Sequence, residues 1–180
     1  MDLSDAELIG HWQRGDAGAF AALVRRWQQP VARFLAHLLG RSDLVPDLCQ
    51  EVFLRVYHAG PRYREAGTFS TWLYRIALNV ARDAGRRRRR QPVALANGEA
   101  VSPGPAPDAL CERRELAGLV SRAVAELPEP LRLVLVLRHY EGMSFEEMAR
   151  LTGTPASTLK SRFTAALDRL RRRLHRLDCG

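Results

Sequence analysis

The sequence is poor in lysine, in cysteine and in long apolar runs, and each shortage excludes a class of protein. Of its 180 residues, 28 are Lys or Arg, yet only Lys160 is a lysine, so the cationic groups are almost all guanidinium groups. The three cysteines, Cys49, Cys111 and Cys179, fit neither a small disulfide framework nor a Cys-x-x-Cys metal site. No apolar run reaches the ~20 residues that a membrane-spanning helix needs.

Signals for export, catalysis and cofactor binding are also missing. The first ten residues, MDLSDAELIG, are acidic and lack the basic-then-apolar order of a secretory signal, which predicts a cytoplasmic protein. The sequence contains no phosphate-binding glycine loop, no Ser/His/Asp set and no metal-ligand spacing, and its five histidines are scattered. We therefore expect no enzymatic activity, no cofactor and no metal.

The chain instead has a strong excess of positive charge and one compositional break. The formal net charge is +8, which indicates a polyanionic partner, and arginine is well suited to bidentate contacts with phosphate or guanine. Residues 92–108, PVALANGEAVSPGPAPD, contain four of the ten prolines and show no helical period. This pattern predicts a flexible linker between a domain at 1–91 and a second at 109–180, both of them basic.

Helical periodicity dominates both domains, and strand patterns are nearly absent. The apolar residues of one stripe recur every three or four positions: Phe20, Leu23, Val24, Trp27, Val31 and Leu35. Pro30 interrupts this stripe and is expected to kink or split the helix. The predicted fold class is all-α, with two small helical domains joined by the linker.

A helix-turn-helix pattern lies near the C-terminus. Ser144 and Glu147 form a capping-box pattern before a short helix, Thr152-Gly153 ends it, and Pro155 begins a longer basic helix. The polar face of that second helix holds small hydroxyls flanked by cations: Ser157, Thr158, Lys160, Ser161, Arg162 and Thr164. This face suits DNA bases and phosphates; the alternative is a solvated polar face in another kind of bundle.

The first domain contains a long helix, predicted from about Thr71 to Arg88, with a second basic face. Its buried side is predicted to hold Trp72, Ile76, Ala77, Val80 and Ala84. Arg75, Asn79, Arg82, Arg86 and Arg89 fall on the other side, where cations suit a nucleic-acid backbone and the amide can read a base. Trp72, at the border, is either a core residue or a platform for an unpaired base. The alternative for the arginine run is a solvated helix end.

A third surface has a different character. On the preceding helix, the exposed arc is predicted to hold Asp47, Gln50, Glu51 and Leu54. An apolar residue among acidic ones on an outer face indicates a protein partner with basic and apolar contacts. Single exposed leucines are ordinary, so this pattern alone leaves both interpretations open.

Taken together, five stretches in this order resemble the bacterial RNA polymerase sigma factors of the extracytoplasmic-function type, group 4 of the sigma-70 family. They are GDAGAFAALVRRW, DLCQEVFLRVY, TFSTWLYRIALNVARD, LPEPLRLVLVLRHYEGMSFEEMARLTG and PASTLKSRFTAALDRLR. Together they contain 84 of the 180 residues and are spread from Gly15 to Arg171. The resemblance implies a σ2-like domain, a σ4-like domain and transcription initiation at promoters.

The resemblance also implies roles for the three surfaces. The arc of Asp47, Gln50, Glu51 and Leu54 matches the face that docks on the clamp coiled coil of the polymerase's largest subunit, while the C-terminal domain would meet the flap of the second-largest subunit. The loop Arg64 to Phe69, with Asn79, matches elements that capture an extruded base of the −10 element, and Trp72 and the arginine face are predicted to bind the same DNA. Lys160, Ser161 and Thr164 match positions that face the −35 element, and the other residues of that polar face are predicted to bind the same element.

Two departures and one further partner accompany the resemblance. Ala165 stands where relatives often have Arg, and Ser157 replaces a usual Gly, so −35 contacts are expected to be fewer or differently directed. An anti-sigma factor, often membrane-tethered in the family, is an implied partner. Two alternatives remain: a helix-turn-helix regulator that binds duplex DNA without polymerase, and a helical adaptor whose basic faces bind an acidic protein.

Overall fold

A computed structural model describes residues 3–40, 43–64, 68–90 and 118–178, with the side chains of 88–90 and 176–178 excepted. The described part contains helices and no strand, which confirms the all-α prediction. The helices are α1 (Asp5–Gln13), α2 (Ala17–Leu39), α3 (Val45–Ala59), α4 (Phe69–Arg90), α5 (residues 118–125), α6 (Glu129–Leu135), α7 (Phe145–Thr152) and α8 (Ala156–Asp178). The predicted linker and both predicted domain boundaries lie outside the described residues.

Contacts divide the chain into two compact units. The first contains the described residues of 1–35 and 44–95, and the second contains those of 36–43 and 96–180. The last turn of α2 is therefore grouped with the second unit, whereas the sequence prediction assigned all of it to the first domain.

Helix α2 passes through Pro30 without a break, so of the two effects expected of this proline, a kink or a split, the split is wrong. Proline removes one backbone hydrogen bond and costs about 3 kcal/mol inside a helix. The next turns bury Val31, Phe34 and Leu35 completely. Burying such a side chain contributes about 1.5–3 kcal/mol, so the packing of these three residues outweighs the cost of Pro30.

The short helix α1 is fixed at its start by hydrogen bonds. Ser4 and Glu7 form a capping box, which satisfies backbone N–H groups that a helix start leaves without partners. Asp5 then links α1 to α2, because its carboxylate accepts hydrogen bonds from Arg26 at 2.7 Å and from the Trp27 indole at 3.1 Å. These contacts place the beginning of α1 against the middle of α2.

The second unit has its own apolar core, centred on Val124, Leu127, Leu135 and Ala166, with Phe163, Leu167 and Leu170 packed against it. After Leu135 the helix continues as one π-helical turn, Val136–Tyr140. Ser144 and Glu147 form the predicted capping box of α7. Gly153 ends α7 at φ +70°, a left-handed conformation that favours glycine, and α8 follows after Pro155.

Candidate nucleic-acid and partner interfaces

The acidic arc of α3 lies on the surface, as its pattern predicts. Asp47 and Gln50 are exposed, the Glu51 side chain is 40% exposed, and Leu54 is 48% exposed. On the opposite side, Val52 and Val56 are almost completely buried. An exposed leucine between carboxylates offers a partner both an apolar contact and an attraction for cations.

Ion pairs tie this arc to α4. The Arg55 Nε lies 2.8 Å from the Glu51 carboxylate, and its Nη1 lies 3.0 Å from the Asp83 carboxylate. Asp83 also pairs with Arg86. The Arg55 hydrogen bond, together with the nearby cations, lowers the pKa of Asp83. The Arg55 guanidinium therefore links α3, which carries the acidic arc, to α4, which carries the arginine face.

The arginine face of α4 points outward. Arg75, Asn79 and Arg86 are exposed and Arg82 is half-buried, whereas Leu73, Ala77 and Val80 face the core. Three residues predicted for the buried side, Trp72, Ile76 and Ala84, are half-buried instead, so the buried arc lies further round the helix than predicted. The side chain of Arg89 lies outside the described residues.

Aromatic side chains line the edge of this face. Trp72 is half-buried, and its ring centroid lies 4.6 Å from that of Tyr63. Phe69 is only 6% exposed and packs against both rings and against Trp27. In this structure Phe69 therefore supports the pair from below and does not reach the surface. Tyr63, which the sequence patterns did not single out, lies beside Arg64; residues 65–67 of the predicted loop lie outside the described residues.

The N-terminal half of α8 presents the predicted polar face. Ser157, Lys160, Ser161 and Thr164 are exposed, and Thr158 and Arg162 are half-buried. The Ser161 hydroxyl donates to the Thr158 carbonyl at 2.9 Å, and the Thr164 hydroxyl donates to the Lys160 carbonyl at 3.3 Å. Because their protons are used within the helix, these hydroxyls face solvent as acceptors.

A cation that the sequence analysis missed adjoins this face. Arg138 lies over the Phe145 ring, 5.4 Å from its centroid, and the Lys160 Nζ lies 5.8 Å from the same centroid. A bond from Arg138 to the Met143 carbonyl, 2.9 Å long, fixes its guanidinium. Arg138 stands 22 positions before Lys160, so helical periodicity within α8 could not reveal it.

The described residues carry neither a metal-binding cluster nor a membrane-spanning helix. No group of three His, Cys, Asp or Glu side chains that could hold a metal ion occurs among the described residues. Among the helices described, none has the length and apolar character to cross a membrane.

Comparisons with known proteins match both halves of the chain. The model of Sigma-70 region 2 matches residues 23–91, and that of Sigma-70 region 4 matches residues 117–170. The chain is 36% identical to the ECF RNA polymerase sigma-E factor of Escherichia coli K12 over 92% of both chains, and 32% identical to that of Haemophilus influenzae over 97% of both.

Two solved structures share the fold of this chain. The structure of CnrH in complex with the cytosolic domain of CnrY matches with a TM-score of 0.72 and 27% identity, covering 95% of this chain and 97% of CnrH. The sigma factor RpoE of Bartonella quintana, solved with the anti-sigma factor NepR, shares the fold at a TM-score of 0.70 and 22% identity, over 87% and 96% of the two chains. The chain therefore belongs to the extracytoplasmic-function sigma factors of the sigma-70 family.

Proposed function

We propose that the three surfaces divide the work of a sigma factor: the acidic arc of α3 docks on RNA polymerase core, the face of α4 opens and reads the −10 element, and α8 reads the −35 element. The family function is promoter-directed initiation of transcription, with RNA polymerase core and promoter DNA as partners. The protein would act without catalytic chemistry of its own, in the cytoplasm, where RNA polymerase acts.

The observation that carries the proposal is the separation of charge on α3 and α4. Carboxylates and an exposed leucine lie on α3, whereas cations and one exposed amide lie on the outer side of α4. The acidic arc of α3 repels DNA phosphates and attracts a basic protein, whereas the arginine face of α4 attracts DNA phosphates and repels a basic protein. Two kinds of partner are thus accommodated by one helical unit.

Base capture is proposed for the region around Asn79. The exposed amide of Asn79 can donate to and accept from a base edge, and the neighbouring Tyr63–Trp72 pair offers an aromatic surface for stacking. A site that binds an unstacked base favours the open strand over the duplex, because only the open strand exposes that base. Arg75, Arg82 and Arg86 would hold the adjoining phosphates.

At the other end of the chain, we propose that α8 enters the major groove with Lys160 and Arg138 on phosphates. The acceptor hydroxyls of Ser161 and Thr164 suit donors on base edges, such as the amino groups of adenine or cytosine. The Phe145 ring holds the two cations near each other and so keeps them at the rim of this face. Contact of this domain with the polymerase flap is part of the same proposal.

An anti-sigma factor is the additional partner we propose for this chain. Support comes from the relative CnrH, whose solved structure is a complex with the cytosolic domain of a second protein, CnrY. Such a partner would cover surfaces that polymerase needs, and a membrane tether on it would match the family pattern.

Reconstitution tests the proposed function directly. The purified full chain is mixed with RNA polymerase core and a randomised promoter library, and transcripts are sequenced. We expect transcripts from a shared bipartite promoter that appear only when both proteins are present. A folded chain that yields no specific transcripts, or that binds duplex promoter tightly without core, would overturn the proposal and favour a helix-turn-helix regulator. A chain whose DNA binding lacks steep salt dependence would favour the adaptor alternative.

A further inference from the structure

We propose that Gln13, at the end of α1, is a positioning residue for promoter opening, because it holds the turn from which the base-binding surface projects. The Gln13 Nε2 donates to two backbone carbonyls that lie far away in sequence, that of Gly60 at 2.9 Å and that of Tyr63 at 3.0 Å. This inference rests on the function proposed above, since it assigns a role toward the same surface near Asn79.

The two bonds fix a turn that has little regular structure of its own. Residues Gly60–Arg62 form one 3-10 turn, closed by a bond from the Tyr63 N–H to the Gly60 carbonyl at 3.0 Å. The Gly60 carbonyl thus accepts from both Tyr63 and Gln13. Because the Gln13 amide joins the first and last carbonyls of the turn, it sets the direction in which the chain leaves toward Arg64.

Packing adds a second restraint from the same helix. The ring of Trp12 lies so close to Gly60 that a Cβ there would fall 1.7 Å from a ring carbon. Trp12 is itself held by Phe20 and Tyr57, at centroid distances of 4.7 and 6.0 Å. The end of α1 is therefore anchored, and Gln13 transmits that fixed position to Tyr63.

Ring contacts connect the turn held by Gln13 to the proposed DNA-binding surface. The Tyr63 backbone is held by Gln13, and the Tyr63 ring lies against Trp72, 4.6 Å between centroids. Trp72 lies on the same face of α4 as Asn79, about two turns before it, since residues seven apart share a face of a helix. Loss of the Gln13 bonds would free the Tyr63 ring to move and leave the aromatic surface less organised when a base arrives.

The test compares Gln13→Glu and Gln13→Ala with the control Gln29→Glu, an exposed position on α2. Glu has nearly the size of Gln but sets an oxygen against two carbonyl oxygens, whereas Ala removes the bonds without adding charge. Holoenzyme is formed with each full-length variant. We then measure the affinity of each variant for core and the affinity of each holoenzyme for a −10 fork probe. The probe is taken from the promoter that the reconstitution identifies, and it carries 2-aminopurine at the captured base.

We expect both Gln13 variants to bind core like the wild type, and to lose about tenfold in fork affinity and in 2-aminopurine signal, in keeping with two lost hydrogen bonds. Amide hydrogen exchange of Gly60 and of residues 62–64 should rise in both, but not in Gln29→Glu; Pro61 has no amide proton. If the Gln13 variants match the wild type on the fork probe, or lose core affinity equally, the inference is wrong. Failure of wild-type holoenzyme to transcribe would instead refute the proposed function.

Discussion

Arg55 on α3 and Asp83 on α4 form an ion pair 3.0 Å long, and the same guanidinium also pairs with Glu51, a member of the acidic arc. The proposed polymerase-binding and DNA-binding helices thus share one cation. Because Asp83 also pairs with Arg86, this network extends into the arginine face.

The first prediction concerns acid stability. The hydrogen bond from Arg55 lowers the pKa of Asp83 in the folded chain. Asp83 therefore stabilises the fold above the pKa of the unfolded carboxyl, about 3.9, and this contribution is lost as the pH falls through the lower folded value. We expect Asp83→Asn to lower stability at neutral pH and to weaken its dependence on pH in the acid range. The free energy of unfolding is measured by urea denaturation, followed by circular dichroism, from about pH 2.5 to about pH 7.

A second prediction tests the docking face. Glu51→Arg should reduce affinity for polymerase core by at least about tenfold, since a cation replaces a carboxylate opposite a basic partner. Circular dichroism should still show a helical protein, because the side chain lies at the surface. Ala59→Arg, at the exposed end of the same helix, is the control for added positive charge. Unchanged core affinity in Glu51→Arg would contradict the proposal that the acidic arc docks on polymerase.

The third prediction separates base capture from docking. Asn79→Ala deletes an exposed amide and leaves the buried side of α4 untouched, so core affinity should stay constant. Open-complex formation, followed by permanganate reactivity of unpaired thymines, should fall by about tenfold, because a base-edge contact is worth roughly 1–3 kcal/mol. Equal losses in core binding and in opening would argue against a role for Asn79 in base capture.

The fourth prediction uses salt dependence to locate phosphate contacts. Lys160→Ala and Arg138→Ala should each reduce the slope of log affinity against log salt by about 0.9 for promoter DNA, as expected for one lost phosphate contact. Arg169→Ala removes the same charge from an exposed position in the C-terminal half of α8, beyond the predicted DNA-binding residues, and serves as the control. A slope that changes as much in the control would mean that only net charge matters.

The fifth prediction concerns the start of α7. Ser144 accepts from the Glu147 N–H, and the Glu147 carboxylate accepts from the Ser144 N–H at 2.8 Å. The bond from the Ser144 N–H, together with one from the Ser144 hydroxyl to the same carboxylate at 2.8 Å, lowers the pKa of Glu147. Ser144→Ala should cost about 1 kcal/mol, with a range of roughly 0.5–2, and the loss should shrink as acid protonates Glu147. Thermal unfolding at neutral and acid pH would show it; equal losses at both would contradict it.

Local patterns predicted much of the molecule because their physics is local. A capping box needs only Ser144 and Glu147 three residues apart, and an amphipathic helix such as α3 needs only its own periodicity to place Leu54 outside and Val52 inside. The buried arc of α4 was less well predicted, since Trp72 and Ile76 are only half-buried. Which aromatic residue lies deepest depends on neighbours such as Trp27, which are remote in sequence.

By itself, the sequence determined the helical class, the caps, the exposed acidic arc and the two basic faces, because helix periodicity and charge act over a few residues. Only the tertiary structure decided that α2 continues through Pro30, that Phe69 lies beneath Tyr63 and Trp72, and that Gln13 bonds the turn at Gly60. It likewise placed Arg138 beside Lys160 on one aromatic ring. Each of these depends on which helices pack together, and such contacts between distant residues leave no periodic signal in the chain.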